Sequence, residues 1–171
     1  MSPAALRAAV LLLGPLAPLG GLAAQALKPW TGGETPALVL EDPQGRTHDL
    51  AKYHGTVVLV NFWATWCEPC RDEMPSIERA RGKLAGRPFA VLAVNLRESP
   101  QKVADFLKRL PLGFPVLLDR DGDVAKAWRV RMLPASFLVD TEGRIRYSLV
   151  GDTDWADEAV VDTIKQLLQP E

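Results

Sequence analysis

Two cysteines and two histidines in 171 residues is a short supply of metal-binding and cross-linking side chains. A structural zinc site normally wants two further Cys or His ligands at compact spacing. Beyond Cys67 and Cys70 the sequence offers only His48 and His54, an isolated pair upstream. Covalent haem attachment needs His directly after the second cysteine, where Arg71 stands. A purely structural role for the cysteine pair is weak, because a loop this short gains only about 2 kcal/mol from closure. Long basic runs are lacking too. Lys and Arg number 20 against 21 Asp and Glu, for a formal charge of -1, so there is no electrostatic footprint for nucleic acid. Proteins or small thiols are the expected partners. The length suits one domain with a proper core and would strain to make two.

What is present is concentrated in one segment. Val57-Val58-Leu59-Val60-Asn61-Phe62-Trp63, an apolar run of strand length, leads directly into Ala64-Thr65-Trp66-Cys67-Glu68-Pro69-Cys70. A dithiol that cycles between reduced and disulfide forms needs one thiol ionised near neutral pH and a second thiol close enough to displace a mixed disulfide. If Cys67 opens a helix, unsatisfied N–H groups and the positive end of the helix dipole stabilise its thiolate. Cys67 is then the nucleophile and Cys70, one turn further in, the resolving thiol. Pro69 suits the first helical turn, where a missing N–H has no intrahelical partner.

The N-terminus reads as a targeting segment over 1–26. After Arg7 comes an uncharged Ala/Leu-rich stretch ending in Ala24-Gln25-Ala26, the small-x-small form of a secretory cleavage site. The competing reading is an uncleaved membrane anchor, which Gly14, Pro15, Pro18, Gly20 and Gly21 would interrupt. Either way the cysteines are exported. Residues 27–34 read as a linker and 35–171 as the domain. There, 37–40 and 46–50 form a hairpin around Asp42-Pro43-Gln44-Gly45, 57–63 a buried strand, and 71–84 a helix with Met74, Ile77, Ala80, Leu84 and Ala85 on its apolar face. Strand 89–96, a helix from Ser99-Pro100 to Arg109 and strand 116–118 imply a right-handed parallel crossover. A short helix over 123–128, strands 136–139 and 144–149 around Asp140-Thr141-Glu142-Gly143, and a last helix capped by Asp154 complete the α/β pattern. That last helix turns Ala159, Val160, Ile164, Leu167 and Leu168 inward.

Trp63-Ala64-Thr65-Trp66-Cys67-Glu68-Pro69-Cys70 before a helix, a later Leu133-Pro134 before a strand and hairpin, and a terminal helix resemble the thioredoxin superfamily. Asn61-Phe62-Trp63, Cys67 to Pro75 and the strand-helix-strand insertion from about 87 to 118 are similar to the TlpA/ResA/CcmG group of exported thiol-disulfide oxidoreductases. The resemblance implies a central mixed sheet with helices on both faces, an N-terminal hairpin extension and a central strand-helix insertion. It also implies a protein disulfide substrate such as an apocytochrome c or a copper-site assembly protein. A membrane electron donor of the CcdA/DsbD type, a periplasmic or other extracytoplasmic location, and no metal or organic cofactor complete the picture. A monomer is expected.

Pro134 matches the superfamily's cis-proline, whose loop lies against the disulfide, and Leu133 would line the substrate groove with a partly exposed Trp66. Glu73, three residues after Cys70 and so on the same side of the helix, matches the group's active-site glutamate. A partly buried carboxyl there could exchange a proton with Cys70. Thioredoxin itself usually has a buried Asp where Asn61 stands. Trp63 belongs to the core. Glu68 puts a negative charge beside Cys67, which disfavours the thiolate and favours a reductant over an oxidant. The group often has Gly before the apolar residue and Thr after the proline, where this chain has Met132 and Ala135. Two other functions compete: a disulfide oxidase or isomerase, and a non-enzymatic module that binds metal or an apoprotein through the cysteines. The peroxiredoxin arrangement Pro-x-x-x-Thr-x-x-Cys is absent, since Ala64 precedes Cys67 by three residues.

Overall fold

Seven consecutive buried residues, Val57–Trp63, form the strand on which the rest of the molecule is hung. The computed structural model describes residues 27–169, so the targeting segment expected over 1–26 lies outside the described residues. In chain order the strands are β1 (Lys28–Pro29), β2 (Val39–Glu41), β3 (Thr47–Asp49), β4 (Val57–Trp63), β5 (Phe89–Leu96), β6 (Val116–Asp119), β7 (Ala135–Val139) and β8 (Ile145–Val150). The helices are α1 (Glu68–Lys83), α2 (Pro100–Arg109), α3 (Asp123–Ala127) and α4 (Glu158–Leu167). Six strands make one sheet in the order β1-β8-β7-β4-β5-β6, and β2 pairs with β3 as a separate hairpin.

The sheet is mixed. β4, β5 and β6 run parallel, while β7 is antiparallel to β4 and β8 to β7. The parallel steps require the crossovers that α1 and α2 supply, whereas the antiparallel β7–β8 step is closed by a tight turn. In that turn Asp140 accepts from the backbone N–H groups of Glu142 and Arg144, and Gly143 takes the positive φ of 81°.

Alternation along β4 divides the core in two. Val57, Leu59 and Trp63 join Met74, Ile77 and Ala80 of α1, Val103 and Phe106 of α2, and Val160, Val161 and Ile164 of α4. Val58, Val60 and Phe62 point the other way, onto Ala125 of α3, Trp128 and the hairpin residues Leu38 and Leu50. Both faces of the sheet are therefore covered, as the near-continuous apolar composition of its central strands requires. Asn61 is the one polar residue of β4, and its position in the alternation aims it at the α1 face.

Three local expectations are corrected. Lys28–Pro29, read as part of a linker, pairs along β8, and Trp30 packs edge-on against Phe137; an aromatic ring with a sheet edge to cover overrides the linker composition around it. Ala85 and Ala159 are exposed, and Val161 takes the inward place instead. The cap of α4 is Asp157, whose carboxylate accepts from the Ala159 N–H at 2.9 Å. Asp154 instead heads the turn before it, and there Trp155 is driven into the core.

Candidate active site

β4 ends at the sheet's carboxyl edge and the chain turns through Ala64 to Trp66 into α1. Cys67 is the N-cap of that helix and Pro69 lies in its first turn, so first-turn N–H groups face the Cys67 end without intrahelical acceptors. Cys67 and Cys70 are joined as a disulfide with Cα atoms 5.3 Å apart. Their exposures differ in the direction a nucleophile and a resolving thiol need: Cys67 is 5% exposed and Cys70 0%. Glu68 and Pro69 are exposed beside them.

The loop before β7 lines a groove beside Trp66. The Leu133–Pro134 peptide bond is cis. Pro134 is buried, with its carbonyl accepting from the Gly151 N–H at 2.9 Å, and Leu133 is half-buried. Trp66, 66% exposed, and Leu133 line the same groove together with Met132. Two of the three residues expected to meet substrate, Trp66 and Leu133, are thus brought together across 67 positions of sequence, while Pro134 is not among the residues that line the groove. Trp63 lies in the core against Phe106, ring centroids 5.2 Å apart.

Glu73 is buried, and the structure explains how. One carboxylate oxygen accepts from Asn61 Nδ2 at 2.8 Å and the other from Trp155 Nε1 at 3.0 Å. Asn61 uses its second N–H on Ser136 Oγ at 2.9 Å. Burial penalises the charged form, and the donors from Trp155, Asn61 and the Thr153 backbone are all neutral and only partly offset it. The Glu73 pKa is accordingly raised from 4.5 to about 7. Glu73 therefore follows Cys70 by one helical turn with a carboxyl that changes charge near neutral pH.

A second buried carboxylate takes the opposite course. Glu98 accepts from the Thr65 N–H and Oγ1, each at 2.6 Å, from Asn95 Nδ2 at 2.8 Å and from Lys102 Nζ at 2.7 Å. Burial again opposes its charge, but the Lys102 ammonium and the three other donors outweigh it and hold the carboxyl below its ordinary value. Because both Thr65 groups are tied to it, Glu98 anchors the turn that delivers Trp66 and Cys67. Sequence reasoning missed Glu98, Thr65 and Trp155. Glu98 to Lys102 is an i, i+4 pair that could have been noticed, but Trp155 lies 82 positions from Glu73 and left no local signal. Among the described residues no group of three or more His, Cys, Asp or Glu is placed to hold a metal ion.

Comparison with known proteins agrees with this arrangement. Residues 31–148 match the AhpC/TSA family. The thiol-disulfide oxidoreductase ResA of Geobacillus thermodenitrificans (strain NG80-2) is 38% identical over 120 residues, covering 70% of this chain and 69% of the relative. ResA of Bacillus subtilis (strain 168) is 34% identical over 139 residues, covering 81% and 76%. Among solved structures, a provisionally named thiol:disulfide interchange protein DsbE from Chlorobium tepidum superposes with a TM-score of 0.74 at 31% identity, covering 84% of this chain and 100% of that one. The matched segment carries both the cysteine helix and the cis-proline loop, and the chain belongs to the AhpC/TSA family as a thioredoxin-like thiol-disulfide oxidoreductase.

Proposed function

We propose that the protein is an exported reductant of protein disulfides, with Cys67 as nucleophile, Cys70 as resolving thiol and Glu73 as the carrier of the Cys70 proton. The Cys67 thiolate, favoured by the N–H groups of the first turn of α1, attacks one sulfur of a substrate disulfide. A bond forms between Cys67 and that sulfur, and the other substrate sulfur leaves as a thiolate. Cys70 gives its proton to ionised Glu73 and attacks the Cys67 sulfur, releasing the second substrate thiolate and closing the Cys67–Cys70 disulfide. Two electrons have then passed to the substrate. A two-electron donor must restore the dithiol, and the resemblance to the TlpA/ResA/CcmG group favours a membrane transporter of the CcdA/DsbD type.

The observation that carries this reading is the pairing, one turn apart on α1, of fully buried Cys70 with buried Glu73 at a pKa of about 7. A general base is most effective when its pKa lies near the working pH. Trp66, Leu133 and Pro134 would hold an extended substrate segment, and Glu68 would bias the pair toward reduction. An apocytochrome c before haem attachment is the substrate that the resemblance favours, in the periplasm or another extracytoplasmic space reached through residues 1–26.

Replacing Cys70 by Ala leaves Cys67 without its resolving partner, so a mixed disulfide should accumulate and mass spectrometry should identify its other half. An apocytochrome is the expected catch, and a copper-site protein would redirect the assignment. A reduction potential near the oxidising extreme, on the order of -120 mV, would overturn the reductant direction.

A further inference from the structure

The surface next to the disulfide is not charge-balanced. A groove of about 550 Å³ extends from Trp66 past Met132 and Leu133 to the ends of β5 and α3, and its wall carries Arg97, Lys126, Arg129 and Arg131. All four are exposed. Among the described residues none of them forms an ion pair with a carboxylate. No acidic residue is among those that line the groove. Asp121 and Asp123 line a separate hollow with Leu40 and Glu41, and Glu68 is not part of the groove wall. In a chain of formal charge -1, four cations gathered on one wall do not follow from composition.

Two of these cations are held in the left-handed backbone region. Arg97 (φ 57°) and Arg129 (φ 58°) are the only non-glycine residues with positive φ among the described residues. Glycine enters that region freely and a residue with a Cβ does not, so arginine at both places adds a charge where a cheaper residue would serve the backbone better. The Arg97 side chain is further fixed. Its Nε donates to the Asp121 carbonyl at 3.2 Å, and it lies across Gly122, where a Cβ would collide with the guanidinium. Arg129 follows the Trp128 cap of α3, its N–H donating to the Lys126 carbonyl at 3.1 Å. The Arg97 charge, already oriented, loses less freedom when an anion binds.

We propose that this groove holds an acidic extended segment of the protein whose disulfide is exchanged, with Asp or Glu side chains close to the target cysteine meeting the four cations. Trp66, Met132 and Leu133 take the apolar positions of the same segment. The proposal rests on the exchange chemistry of the preceding section and names the substrate class for it.

The test uses the reduced full chain and three synthetic peptides with the same intrachain disulfide, flanked by Glu, Ser or Lys. Quenched-flow rate constants at low salt are expected in the order Glu, Ser, Lys, with a spread of about tenfold or more between the extremes. The spread should collapse in about 1 M salt, where the Debye length is about 3 Å. It should also vanish in the double variant Lys126→Glu, Arg131→Glu, whose two carboxylates offset Arg97 and Arg129, and shrink in Arg129→Gly, which removes a charge while relieving the backbone. Each protein is scored by the ratio of its Glu-peptide and Lys-peptide rates, so a general loss of reactivity does not mimic the effect. Equal rates at low salt, or a preference that survives high salt or the charge reversal, overturn the acidic-segment proposal and leave the exchange chemistry standing. Failure to exchange with any of the three peptides overturns the exchange chemistry and the groove proposal with it.

Discussion

Glu73 owes its chemistry to opposing effects of unequal size. Burial disfavours its charge, and neutral donors from Trp155, Asn61 and the Thr153 backbone favour it, with the balance at about 7. Glu98, less deeply enclosed and with a lysine among its donors, falls the other way. Since the Asn61 hydrogen bond favours the charged form of Glu73, Asn61→Ala should raise the Glu73 pKa further. A hydrogen bond worth about 1 kcal/mol corresponds to roughly 0.7 pH unit. The pH profile of the resolving step, followed in rapid-mixing experiments on the reduced protein, should move to higher pH by about that amount. Glu73→Gln should remove that limb of the profile; a profile that keeps it in the Gln variant would exclude Glu73 as the proton carrier. From the sequence, Glu73 could be assigned to the Cys70 side of a helix because i, i+3 spacing is local. Its full environment could not be, since Trp155 reaches it only after the chain has crossed the sheet several times.

Elements here are specified mostly by their ends. α1 begins after its N-cap Cys67 because β4 stops at the sheet edge and Pro69 is well suited to a first turn. α2 starts at Pro100 with the Ser99 hydroxyl accepting from the Lys102 N–H, and both signals were legible in the sequence. α4 was harder to read, because Asp154 and Asp157 are both acceptable caps three residues apart. Docking decided between them: Trp155 is pulled inward to Glu73, with its N–H on Ser76 Oγ at 3.1 Å, and the helix can begin only after that excursion. Asp157→Ala should therefore cost about 1 kcal/mol and lower the melting temperature by about 3 °C. Asp154→Ala should leave the start of α4 intact, as hydrogen exchange at the amides of Ala159 and Val160 would report.

At the scale of the whole molecule the buried acids set how stability varies with pH. The folded pKa of Glu73, about 7, lies above its ordinary value of 4.5, so the folded state binds the extra proton between those limits. Its contribution is fully present below about pH 4.5 and is lost as pH rises through about 7, a change of roughly 3 kcal/mol. Asp42 works in the other direction. Burial opposes its charge, but hydrogen bonds from the Arg46 backbone, His48 and the Arg46 side chain win and lower its pKa to about 2. Its contribution is present above pH 3.8 and lost as pH falls through about 2. Denaturant unfolding of the oxidised protein should thus show greatest stability on the acidic side of neutrality. The same series on Glu73→Gln should be flatter between pH 4.5 and 7, and an unchanged slope would contradict a raised Glu73 pKa in the folded state.

The sequence by itself determined most of the strand and helix pattern and the identity of the paired cysteines, because those rest on periodicity, turn chemistry and spacing over a few residues, and its motifs carried the resemblance to the family. Tertiary structure alone decided that Asn61 and Trp155 enclose Glu73, that Glu98 anchors the turn before Cys67, and that Trp66 and Leu133 share a wall with four cations that form no ion pair among the described residues. The physical reason is distance along the chain. Strand order β1-β8-β7-β4-β5-β6 brings residues tens of positions apart into hydrogen-bonding range, and burial and charge balance exist only once that packing is complete.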